Sequence, residues 1–154
     1  TRFPGRIEVV QSQPLVILDG AHNPDKMRSL LASLDQLYPD RNLVVVFGVL
    51  ESKSHIDMLD ILAPKVATLV ATAPSVIAKP PVPAAMLAER ARTLLSNVRV
   101  ADDPLDAVEI AIQCAGPDDL VLVTGSLYLI GNVRERWYPT EHILSQGTSW
   151  PAPP

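Results

Sequence analysis

Cysteine is almost absent. The 154 residues hold one, Cys114, which excludes an internal disulfide framework and any thiolate-rich zinc site. Cys114 sits in an apolar helical run and reads as a small buried hydrophobe, and the scarcity fits a reducing cytoplasm. A basic surplus is also missing. Thirteen Lys and Arg stand against 17 Asp and Glu, for a net charge of -4, which argues against a nucleic-acid partner. No apolar run approaches the ~20 residues of a membrane-spanning helix, and no signal-peptide pattern opens the chain. There is no G-x-x-x-x-G-K-[ST] phosphate loop and no G-x-G-x-x-G fingerprint, so neither a self-contained ATPase nor a self-contained dinucleotide binder is expected. Gly125-Ser126 lacks the second glycine of a nucleophile elbow. His22, His55 and His142 are too far apart in sequence for metal-ligand spacing, and His55 and His142 read as surface or loop residues. No internal repeat is visible.

Hydrophobic residues make up 47% and charged residues 19%, which excludes disorder of the whole chain. A chain of this length is one domain and buries about 68–70% of its unfolded surface. It opens on Thr1, not Met, and its first residues already resemble the middle of a pattern, so a piece of a longer protein is expected.

Strand and helix signals alternate. Strands are expected at Arg6–Val10, Leu15–Leu18, Leu43–Phe47, Thr68–Thr72, Val98–Val100 and Leu120–Val123. Asn23-Pro24 opens a helix with Met27, Leu30, Leu31, Leu34 and Leu37 at helical spacing, stopped by Pro39. Ser54 and Asp57 form a capping-box pattern ahead of Ile56, Leu59 and Leu62. Four prolines make residues 73–83 a loop. A helix over Pro83–Leu95 turns Leu87, Ala91, Leu94 and Leu95 inward. Asp103-Pro104 caps a helix through Cys114, and Gly125-Ser126 opens the last, to about Trp137. The pattern predicts an α/β, Rossmann-like, three-layer domain over residues 1–138: a mostly parallel sheet of about six strands with helices on both faces. Residues 139–154 read as a flexible, proline-rich tail.

In such sheets ligands bind beyond the carboxyl ends of the strands. Asp19, His22 and Asn23 follow one strand, Lys53 a second and Ser126 a third. A lysine with two helix-capping residues suits a carboxylate ligand. Asp19 could accept from an amine, a ribose hydroxyl or His22. Each also has a plainer role open to it: a turn-former at Asp19, a backbone-bonded loop histidine at His22, a solvated Lys53, a simple helix cap at Ser126.

Four segments together carry a family resemblance. Phe3-Pro4-Gly5-Arg6-Ile7-Glu8 resembles a PGR-x-E segment, Asp19-Gly20-Ala21-His22-Asn23-Pro24 a D-G-A-H-N-P motif, Val46-Phe47-Gly48 followed by Lys53 an F-G-x-x-x-D-K-D segment, and Thr124-Gly125-Ser126-Leu127-Tyr128 a T-G-S-L-Y motif. In this order, over residues 2–137, the chain resembles the C-terminal domain of folylpolyglutamate synthases, or of bifunctional dihydrofolate synthases, in the Mur ligase superfamily. One departure stands out: Ser52 and Ser54 replace both acids that flank the family's lysine.

The resemblance implies a cytoplasmic, monomeric, ADP-forming ligase of folate metabolism that uses ATP and Mg²⁺ to add glutamate to folate or dihydropteroate. Its ATPase domain, with the phosphate loop and metal ligands, would lie N-terminal to this chain. It further implies that Arg6 contacts the ATP phosphates and acts in catalysis, and that Asp19 lies at the ribose. His22, Lys53 and Ser126 would hold the glutamate carboxylates, with His22 also catalytic; no metal ligand falls in this chain. The alternative is a stand-alone amino-acid-binding or regulatory module. A Rossmann-like oxidoreductase is disfavoured by the missing glycine fingerprint.

Overall fold

The apolar runs assemble around one central row of strands. The computed structural model describes residues 5–139, and within them the strands are β1 (Glu8–Ser12), β2 (Leu15–Asp19), β3 (Leu43–Phe47), β4 (Val66–Ala71), β5 (Val98–Val100) and β6 (Leu120–Thr124). The helices are α1 (Pro24–Leu37), α2 (His55–Leu62), α3 (Ala84–Ala91), α4 (Pro104–Cys114) and α5 (Leu127–Arg134). The sheet order is β1-β2-β6-β3-β4-β5. All neighbours pair in parallel except β1, which lies antiparallel on the β2 edge. The Rossmann-like, mostly parallel three-layer expectation is therefore met.

Alternation along each strand decides which helix covers which face. Ile17, Val45, Phe47, Leu69 and Leu122 pack with Met27, Leu30, Met58, Leu59 and Leu87, the inward stripes of α1, α2 and α3. Val16, Leu18, Val44, Val46, Val121 and Val123 face the other way, onto Ala107, Val108, Leu129 and Val133 of α4 and α5. β3 and β6 are buried at every position, as strands covered on both faces must be.

Several local expectations shift. Gly5 and Ile7 both take positive φ, 76° and 43°, so a turn occupies the expected strand start and β1 begins at Glu8. α3 stops at Ala91, its periodicity lapses, and Leu94 is 39% exposed. In α2 the buried stripe is Met58, Leu59 and Leu62; Ile56 lies about 200° from Met58 at 3.6 residues per turn and faces water. Leu37, the last residue of α1, is likewise exposed. Ser54 makes no side-chain bond to the α2 N-terminus, so the capping box does not form. Asn23, Asp103 and Ser126 do cap their helices, accepting from the N–H groups of Lys26, Leu105 and Tyr128 at 2.8, 2.9 and 3.1 Å. α5 gives way to turns three residues before Trp137. Cys114 is only partly buried. The proposed tail lies, after Pro139, outside the described residues.

The three central strands end in register. Asp19 pairs with Thr124, and Thr124 with Phe47; Gly20, Gly125 and Gly48 come next. Gly125 donates its N–H to the Ala21 carbonyl at 3.1 Å. Its φ is +115°, and a Cβ there would stand 2.4 Å from the Gly48 carbonyl oxygen. Gly125→Ala should cost at least ~2 kcal/mol, from backbone strain plus a clash with main chain that cannot rotate away. Gly131, exposed on α5 with nothing within 4 Å of a built Cβ, is the contrast: Gly131→Ala should stabilise by up to ~1 kcal/mol. Thermal and urea unfolding of the two variants checks both signs.

Candidate functional site

Two adjoining cavities open at this carboxyl edge. The first, about 620 Å³, is lined by Arg6, Asp19, His22, Asp25, Lys26 and Ser29 among others. Its frame is a set of short hydrogen bonds around Asp19. One carboxylate oxygen accepts from the Ile7 N–H and the other from the Ala21 N–H, each at 2.9 Å. The Gly20 N–H donates to the Gly5 carbonyl at 2.7 Å. The Gly5 N–H reaches Glu8 Oε1 at 3.2 Å, and Glu8 is ion-paired with Arg134 of α5, both side chains being largely buried. Arg6 is thus held between two residues of left-handed backbone, with its own side chain exposed.

Asp19 is first of all a clamp: both oxygens are engaged by backbone, and each keeps a second lone pair for a ligand. Burial pushes its carboxyl above the usual aspartate range. The Ile7 and Ala21 N–H groups and the charges of Arg6 and Lys26 pull the other way without cancelling it.

The second cavity, about 610 Å³, is lined by His22, Glu51, Lys53, Lys79, Ser126 and Tyr128 among others. His22 and Leu127 line both cavities, and Leu127 sits where a Gly20 Cβ would be, 2.3 Å from its Cδ2. His22 Nδ1 lies 2.9 Å from the Gly20 carbonyl. Because a carbonyl only accepts, Nδ1 carries the proton and Nε2 is left for a ligand. Ser126 is 4% exposed; its Oγ accepts from the Tyr128 N–H, a bond that does not use the hydroxyl proton. Lys53, half-buried, is held by its main chain, with its N–H donating to Leu50 and its carbonyl accepting from His55.

The five predicted residues therefore fall into two groups that meet at His22: Arg6 with Asp19, and Lys53 with Ser126. His55 is at the start of α2 and lines neither cavity, while His142 lies outside the described residues. Lys26, Lys79 and Tyr128 also line these cavities and have no site signal of their own in the sequence. Lys79 stands in a proline-rich loop with no periodicity, and Tyr128 is the last residue of the T-G-S-L-Y segment. Among the described residues, no group of three His, Cys, Asp or Glu side chains could hold a metal ion. No helix in them is long and apolar enough to cross a membrane. The first cavity, with exposed Arg6 and nearby Lys26, has the positive groups that a nucleotide's phosphates need.

Residues 5–127 match the family model for the Mur ligase, glutamate ligase domain. The dihydrofolate synthase/folylpolyglutamate synthase of Bacillus subtilis is 34% identical over 136 residues, covering 87% of this chain and 30% of that protein. Folylpolyglutamate synthase of Mycobacterium tuberculosis, solved with ADP and AMPPCP, superimposes with a TM-score of 0.81 at 27% identity, over 89% of this chain and 33% of that one. A bifunctional folylpolyglutamate synthase/dihydrofolate synthase solved with Mn, AMPPNP and L-glutamate gives 0.77 at 33% identity, over 88% and 32%. The chain spans about a third of the length of these relatives.

The Asp19 clamp has a pH signature. A carboxyl raised by folding is more protonated in the native than in the unfolded state between the ordinary value of 3.8 and its higher native value. Its stabilising contribution is therefore complete below that ordinary value and is lost as pH rises through the native one. The stability of the natural chain minus that of Asp19→Asn, from thermal midpoints at pH 3 to 8, should be largest at the acid end and shrink upward. A difference that grows with pH would contradict the burial argument.

Proposed function

The chain belongs to the Mur ligase family, as a glutamate ligase domain, and on that premise we propose that it is the C-terminal part of an ATP-dependent, ADP-forming ligase that adds glutamate to folate or dihydropteroate. The observation that carries this reading is the pair of cavities meeting at His22, one with Arg6 for a nucleotide and one with Lys53 and Ser126 for an amino acid. In the proposed reaction, the γ-phosphoryl group of ATP passes to a folate carboxylate and ADP leaves. The glutamate amine then attacks the acyl carbon, the C–O bond to phosphate breaks, and the amine gives up a proton as the amide forms. The upstream ATPase domain would supply the phosphate loop and the Mg²⁺ ligands, and a monomeric cytoplasmic enzyme is proposed.

Within this chain, Arg6 would offset charge on the phosphates in the transition state. Asp19 would fix the Arg6 turn and keep lone pairs for the ribose. Lys53 and Ser126 would bind glutamate carboxylate, the lysine by a charge-assisted bond and the serine by its free hydroxyl proton. His22 Nε2 would accept from the attacking amine, aligned by the Nδ1–H bond to Gly20.

Steady-state kinetics on the full-length protein test these roles. Arg6→Ala should lower kcat by ~10²–10³ with an unchanged thermal midpoint, because the side chain is exposed. Lys53→Ala should raise the glutamate KM roughly tenfold or more and leave the ATP KM alone, since a charge-assisted bond contributes about 1.5–3 kcal/mol. The 154-residue chain alone, given ATP, Mg²⁺, glutamate and a reduced folate, should form no amide. Glutamate binding by a full-length protein that lacks ligase activity would favour the regulatory-module reading instead.

A further inference from the structure

A second lysine enters the amino-acid cavity from a different loop. Lys79 stands in the segment between β4 and α3, and its Nζ donates to the Tyr128 hydroxyl at 2.6 Å, 4.7 Å from the ring centroid. Tyr128 belongs to the first turn of α5, directly after the Ser126 cap.

The loop that carries Lys79 is fastened on both sides of it. The Asn132 side chain accepts from the Ser75 N–H at 2.9 Å and donates to the Ser75 carbonyl at 3.1 Å. On the other side, the Pro80 carbonyl accepts from the Glu51 N–H at 2.9 Å, and the Val82 N–H donates to Val49 at 3.0 Å. Pro80 and Pro81 restrict the backbone next to the lysine. The ammonium group is therefore presented from a fixed support, against a partner that holds it without neutralising it.

Charge completes the argument. Among the described residues, the ion pairs involve Arg28, Lys65, Arg90, Arg134 and Arg136. Among the described residues neither Lys53 nor Lys79 is in an ion pair, and Glu51, exposed in the same lining, pairs with neither. Two ammonium groups on one cavity lining, neither of them in an ion pair, leave each free to take a carboxylate of a ligand. An amino acid with a single carboxylate satisfies one of them.

We propose that Lys79, steadied by Tyr128, is a specificity-determining residue that receives the second carboxylate of a dicarboxylic amino acid, Lys53 receiving the first. The proposal rests on the ligase reading above. Glutamine is the discriminating probe, because it keeps the shape of glutamate and replaces the side-chain carboxylate with a neutral amide.

The experiment uses the full-length protein and measures glutamate KM, ATP KM, kcat and inhibition by glutamine. Lys79→Met keeps the apolar stem and removes the charge at an exposed position, so a folded enzyme is expected, checked by an unchanged thermal midpoint. It should raise the glutamate KM at least about tenfold, leave kcat and the ATP KM in place, and narrow the gap between glutamate and glutamine by the same factor. Lys79→Arg should retain most of the discrimination. Tyr128→Phe removes the hydroxyl acceptor, and should raise the glutamate KM by a smaller factor with kcat unchanged, as a positioning role requires. If Lys79→Met leaves glutamate KM and glutamine discrimination untouched while Lys53→Ala raises the KM, the Lys79 assignment is overturned and the ligase reading stands. A rise in the ATP KM instead would move Lys79 to the nucleotide and also overturn it. If the protein ligates no glutamate at all, the ligase reading falls, and this proposal with it.

Discussion

The register of three parallel strands governs the rest of the molecule. β2, β6 and β3 stop at one level, with Asp19, Thr124 and Phe47 side by side. From that row, α1 and α2 leave to one face of the sheet and α5 to the other. The chain must turn away at once at all three ends, and the main chains approach so closely that Gly125 has no room for a side chain against Gly48. That divergence opens the space beyond the sheet, and the loops around it carry the candidate binding groups. A one-residue slip of β6 would move Ser126 away from the cavity and invert the faces of its apolar residues together.

Polar groups at this edge divide between holding the frame and meeting a ligand. Asp19, Glu8 and Arg134 belong to the frame: they tie the turn bearing Arg6 to β2 and to α5. Lys53 and Lys79 make no ion pair among the described residues and so keep their charge available. His22 and Ser126 do both, each spending one polar atom on backbone and retaining another hydrogen-bonding function.

What was legible in the sequence follows from the range of the forces involved. The buried strands announce themselves because a strand covered on both faces must be almost continuously apolar, as Leu43–Phe47 and Leu120–Val123 are. Asn23, Asp103 and Ser126 were readable as caps because a cap bond spans two or three residues. The same logic failed at Ser54, where the preceding turn leaves the serine at φ −81° and ψ 67°, with no bond to the helix. Leu94 followed the right spacing past a helix that had already ended. Glu8 with Arg134, and Lys79 with Tyr128, are joined across 126 and 49 positions, and no local pattern encodes such pairs. The predicted residues converged because strand ends share an edge in any parallel sheet; their division between two cavities that share His22 and Leu127 is a matter of tertiary packing.

The place of β6 in the sheet also bears on how the chain can be made. It is the last strand in sequence among the described residues and stands between β2 and β3, so a nascent chain leaving the ribosome must hold two apolar strand edges apart until more than a hundred residues have emerged after β2. The Glu8–Arg134 pair and the bonds that Gln11 Oε1 accepts from Arg136 and Trp137 close later still. Helices α1 to α3 can cover one side of the early strands, but the sheet is sealed only when its end arrives. Folding of this domain is thus coupled to completion of α5, and a chain that stalls or is cut before Leu120 lacks the central strand, exposing aggregation-prone edges.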